Sequence, residues 1–114
     1  MDYTIYTPSA MRLKKEIFGS ASNLADTDTN AVTSWQCVKT ETNDRALVYT
    51  PDRWAEKGCI TLKENLPHNE LRVRFCYWDS CEERNSDDER FMLGRFTEHL
   101  LVHYSYFVDR VVIE

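Results

Sequence analysis

Apolar and polar positions alternate with a strand period along much of the chain and repeat with a helical period in two places. The clearest alternation runs over 70–78, where Leu71, Val73, Phe75 and Tyr77 share one side and Arg72, Arg74, Cys76 and Trp78 share the other. Successive side chains of a strand point to opposite faces, so this pattern predicts a strand with one apolar and one polar side. Shorter alternations predict strands over 2–6, with Tyr3 and Ile5 opposed to Thr4 and Tyr6, and over 59–64, with Ile60 and Leu62 together. Residues 31–41 and 45–50 read as a hairpin turning at Thr42-Asn43-Asp44, with Thr33, Trp35 and Cys37 on one face. A helical turn closed by Gly58, a turn over 65–69 and a last strand over 108–113 complete the extended half of the pattern.

The longest helical period lies over 86–107. At about 100° per residue, Met92, Phe96, Leu100, His103 and Phe107 fall on one side, flanked by Leu93 and Tyr104. Ser86 and Glu89 have the spacing of a capping box, and Asp87 and Asp88 place negative charge where the helix dipole favours it. An earlier helix is expected from Thr7-Pro8 to a stop at Gly19, burying Ala10, Leu13 and Ile17. Residues 20–30 lack periodicity and read as a surface loop. The expected order is β-α-β-β-β-β-α-β, in one α+β domain spanning 1–114. Its sheet of five to six strands is mainly antiparallel, with two helices packed on one face.

Charge narrows the partners. A formal net charge of −5 argues against general nucleic-acid binding, since that binding is driven by phosphate neutralisation, and it suits a basic partner. No apolar run approaches the ~20 residues of a membrane span, so no membrane association is expected. The first residues, Met-Asp-Tyr-Thr-Ile-Tyr-Thr, have no basic region followed by an apolar stretch; a cytoplasmic protein is expected, with Cys37, Cys59, Cys76 and Cys81 as thiols.

Several constellations invite a chemical reading. Cys76-x4-Cys81 followed by His99-x3-His103 contains zinc-ligating residue types, but His99 lies roughly 20 Å along the helix from its start, too far for the short segment after Cys81 to span. Asp26-Thr27-Asp28-Thr29-Asn30 opens like a calcium loop, then places Ala31 where the turn needs glycine and Cys37 where the bidentate glutamate belongs. Neither supports a metal, and no cofactor is expected. His103 is expected either as a buried hydrogen-bonding residue or as the polar group of a ligand pocket lined with Tyr104, Tyr77 and Trp35. Arg72, Arg74 and Trp78, joined by Thr61 and Lys63, would form an anion-binding patch on the polar sheet face. Phe91, Leu101 and Val102 lie off the helical core stripe and point to self-association.

The chain has no phosphate loop, nucleotide fingerprint or nucleophile–histidine–acid arrangement, so no residue is assigned a catalytic role. The leading expectation is a small soluble module that binds a protein partner or forms a homodimer. The alternative is a domain that binds, or turns over, a small molecule between the long helix and the sheet.

Overall fold

A computed structural model describes the backbone of residues 1–24 and 34–114, and the side chains of 1–19 and 34–114. The described elements are β1 (Tyr3–Tyr6), α1 (Ala10–Leu24), β2 (Trp35–Lys39), β3 (Arg45–Tyr49), α2 (Trp54–Lys57), β4 (Gly58–Asn65), β5 (Glu70–Tyr77), α3 (Asp88–Tyr104) and β6 (Arg110–Ile113). The fold is α+β, with six strands in the order β2-β3-β4-β5-β1-β6. Every neighbouring pair is antiparallel. A one-turn helix, α2, joins the two expected helices. The calcium-like stretch and Thr33 lie wholly or partly outside the described residues.

The longest pairing is between β4 and β5, in register from Gly58 opposite Tyr77 to Asn65 opposite Glu70. Leu66–His68 turns the chain between them, and Asn69 takes a left-handed conformation with φ 48°, which asparagine tolerates better than most residues. With register set, strand alternation sorts the side chains. Leu62, Leu71, Val73 and Phe75 join Tyr3 and Ile5 of β1 in the main core, where Leu13, Ile17 and Phe18 of α1 and Met92, Phe96 and Leu100 of α3 cover them. Both long helices therefore pack on one sheet face.

Helix boundaries depart from the sequence expectation for local reasons. α1 continues through Gly19 to Leu24 because no glycine takes the left-handed conformation that a glycine stop requires. Its cap is Ser9, whose hydroxyl accepts the Arg12 N–H at 3.3 Å, and not Thr7. α3 starts at Asp88, and Asp87 precedes it without a side-chain cap, so the Ser86–Glu89 box does not form. Asp88 anchors this end instead. Its buried carboxylate accepts hydrogen bonds from Asn85 N–H at 2.9 Å, Tyr77 OH at 2.8 Å and Lys57 at 3.1 Å. Burial by itself would raise the Asp88 pKa; the three donors outweigh it and hold the carboxyl below its ordinary value.

The far end of α3 corrects a second expectation. Met92, Phe96 and Leu100 are buried, but the next core residue is Tyr104, whereas His103 is exposed. A four-residue step advances about 40° around a helix while a three-residue step falls back about 60°, so Tyr104 lies nearer the stripe than His103. His103 is therefore not a buried core residue.

Glycine substitutions test the packing. A methyl at Gly58 would overlap the carbonyl oxygen of Cys76 across the β4–β5 ladder, whereas one at Gly94, on the exposed side of α3, would meet nothing within 4 Å. Gly58→Ala is expected to lower unfolding free energy by about 1–3 kcal/mol in urea titrations, and Gly94→Ala to raise it by about 0.5–1 kcal/mol. Asp88→Ala, which removes an acceptor shared by three donors, is expected to cost about 2–3 kcal/mol in the same measurement.

Candidate functional site

The sheet face turned away from α1 and α3 is divided in two. Toward one end, Ala46, Val48 and Cys59 are buried in a small apolar cluster with Val38, Ala55, Cys76 and Trp78. The Trp78 indole N–H donates to the Ala55 carbonyl at 2.8 Å, which holds its ring over this cluster. Beyond it no described element covers the sheet, and charged side chains take over.

Lys63 and Arg72 are direct cross-strand partners, with Arg74 diagonal to Lys63 and opposite Thr61. Lys63, Arg72 and Arg74 are exposed and line a shallow hollow of about 440 Å³ with Thr61, Glu64 and Asn65. Continuing across the sheet, Thr4 stands beside Arg72, and Tyr6 lies between Glu70 and Arg110. The Arg110 guanidinium sits 4.4 Å from the centre of the Tyr6 ring, which fixes a fourth cation at the margin.

Neutralisation within this face is slight. Among the described residues Lys63 and Arg74 have no carboxylate at ion-pair distance, and Arg72 has only Glu70 at 3.8 Å. Glu64 turns to the helical side and pairs with Lys14 at 2.7 Å, a contact that lowers its pKa. Asp2 and Glu114 line a second hollow together with Arg72 and Arg74, without reaching either arginine at ion-pair distance. Like charges directly opposite each other on a sheet are destabilising. An arginine pair here presents planar forks suited to carboxylate or phosphate oxygens.

Of the residues named from sequence, Arg72 and Arg74 lie on one sheet face and line one hollow. Trp78 shares their face but is committed to the apolar cluster, so it adds no exposed ring to the patch. The proposed pocket set is split. Trp35 and His99 have ring centroids 6.2 Å apart, and His103 lies 4.8 Å from His99. Tyr104 approaches His99 at 5.8 Å. Tyr77 is at the opposite end of α3 with Asp88, separated from His103 by roughly 22 Å of helix. A cleft of about 180 Å³ lies over Trp35, Tyr49, His99 and His103, below the ~300 Å³ at which ligand pockets usually begin. Cys76 packs in the apolar cluster, and the Cys81 thiol donates to the Glu83 carbonyl at 3.5 Å. Among the described residues, no three histidine, cysteine or acidic side chains gather around one point.

The sequence reading missed Arg110, Tyr6 and Thr4, because their place on this face follows from β1 inserting between β5 and β6. It did contain one usable signal: the 59–64 and 70–78 strands flank a short turn, and that hairpin register alone sets Lys63 against Arg72. No protein family, curated protein or solved structure matches this chain.

His99 supplies a pH test of the second cluster. Burial, followed by the nearby His103, pushes its pKa from 6.5 down to about 4. The unfolded chain therefore takes up this proton before the folded chain does. Stability is expected to be undiminished by this group above pH 6.5, to fall as pH drops toward about 4 and then to level. The loss should be on the order of 2 kcal/mol after allowance for partial solvent access, read as a declining midpoint in urea melts. His99→Gln is expected to flatten that segment of the profile.

Proposed function

We propose that this protein is a non-catalytic interaction module whose uncovered sheet face docks an acidic segment of a protein partner. The observation that carries this reading is the exposed set Lys63, Arg72 and Arg74, in which the one ion pair among the described residues is Arg72–Glu70 at 3.8 Å and Lys63 stands directly opposite Arg72. Such a pair opposes folding, and an arriving row of carboxylates converts the repulsion into several attractive contacts. Arg110 and Tyr6 extend the surface by one further cation and an aromatic ring.

A polypeptide suits the face better than a long polyanion. The chain carries a formal net charge of −5 in spite of these cations, so the surface beyond the patch is more acidic still and repels phosphates that extend past it. A short acidic segment stays within the patch. The cleft at His99 and His103 is the smaller feature, and its proposed pocket set does not converge, so small-molecule turnover is not the favoured reading. The proposed compartment is the cytoplasm, where cysteines remain thiols.

The test is fluorescence anisotropy with labelled hexaglutamate. Binding in the tens to hundreds of micromolar is expected at low salt, with at least a tenfold loss in the Arg72→Glu/Arg74→Glu variant. Equal binding by that variant, or no wild-type binding, would sink the reading. Lys63→Glu should weaken binding several-fold while raising unfolding free energy by about 0.2–1 kcal/mol, because it turns a repulsive cross-strand pair into an attractive one.

A further inference from the structure

A second region of the chain matches what the cationic face lacks. β5 ends at Tyr77, and the segment between it and α3 carries exposed Asp79, Glu82, Glu83 and Asp87. Its one arginine is engaged locally. The Arg84 guanidinium donates to the carbonyls of Cys81 at 3.1 Å and Trp78 at 3.3 Å, and lies 4.8 Å from the centre of the Tyr77 ring. Among the described residues none of the four acids has a cation at ion-pair distance. Asp88 is set apart from them, since its charge is taken up by Lys57. Glu82 and Glu83 also line a surface depression with Asp52, Glu56, Arg53 and Lys57, so on the α2 side acids and cations are mixed.

The two charged regions lie in sequence along one strand and the loop after it, but they do not meet within the molecule. Arg72 and Arg74 stand on the sheet face, whereas the acidic segment rounds the sheet end, held there by hydrogen bonds from Cys81 N–H and Arg84 to the Trp78 carbonyl. Each is thus left to seek its counterpart elsewhere.

Building on the interaction reading above, we propose that the acidic partner is a second copy of this chain. The 79–87 segment of each copy lies on the Lys63–Arg72–Arg74 face of the other. A reciprocal exchange of this kind closes as a twofold dimer, in which each protomer presents one acidic and one basic contact. Long-range attraction between exposed charges is screened over about 8–10 Å at ordinary ionic strength, so the dimer is weak and dissolves in salt.

Sedimentation equilibrium tests this with the 114-residue chain. At about 100 µM and low salt, the wild type is expected above its monomer mass of 13.5 kDa, returning to it as salt is raised to about 500 mM. Arg72→Glu/Arg74→Glu and Glu82→Arg/Glu83→Arg should each be monomeric, since each sets like charges together in a homodimer. All four positions are exposed, and circular dichroism of both variants should match the wild type. Mixed together, the two variants should form a heterodimer, because both reciprocal contacts are again opposite in charge.

A wild type that stays monomeric at low salt, or variants that fail to pair on mixing, would overturn the proposal. Either result obtained while hexaglutamate still binds the wild type refutes the second copy as partner and leaves the anion-docking face standing. Loss of both refutes the two readings together.

Discussion

The register between β4 and β5 is the constraint from which the rest of this structure follows. Eight residue pairs lie in one ladder, and each pair assigns two side chains to the same sheet face. A slip of β5 by one residue would exchange Leu71, Val73 and Phe75 with Arg72 and Arg74, leaving cations beneath α1 and α3. The burial of those apolar residues thus enforces the cationic face as its counterpart. Gly58 contributes at the ladder's start, where its missing side chain lets the strand pass against the Cys76 carbonyl.

The two faces of the sheet have opposite physical requirements. On the helical side, close packing leaves little freedom: Tyr3 meets both the Phe96 ring and the Thr97 hydroxyl, while Trp35 reaches across to Phe96 and His99. On the other side, the Trp78 cluster closes over part of the sheet and stops short of the cations. The repulsion between Lys63 and Arg72 persists there because burial elsewhere has already determined the strand register. A surface of this kind gives up a little folding stability. The acidic segment after β5 has a complementary character, with Arg84 folded back onto Tyr77 and Trp78 so that it does not neutralise the nearby acids.

Much of the fold was legible from period alone. The alternation over 70–78 and the apolar series Met92, Phe96 and Leu100 both reflect geometry internal to one element, and both appear as expected. Ends of elements were less legible. Gly19 is compatible with a stop but does not compel one, and the Ser86–Glu89 spacing yielded to an anchor at Asp88 whose donors come from β5, α2 and the preceding loop. His103 was misplaced by treating a three-residue step as equivalent to a four-residue one. The candidate site was half legible: Arg72 and Arg74 follow from alternation, whereas the role of Trp78 depended on where β3 and α2 lie.

By itself the sequence determined which residues share a side of each strand or helix, because side-chain direction follows from backbone period. It also determined the acidic balance and the local turns that leave only a few strand connections open. Tertiary structure alone decided that β1 enters between β5 and β6, bringing Thr4 beside Arg72 and Tyr6 between Glu70 and Arg110. It decided as well that Trp78 closes over an apolar cluster while Tyr77 turns to Asp88. These outcomes depend on contacts between residues far apart in the chain, whose energies emerge only when the sheet order has brought them together.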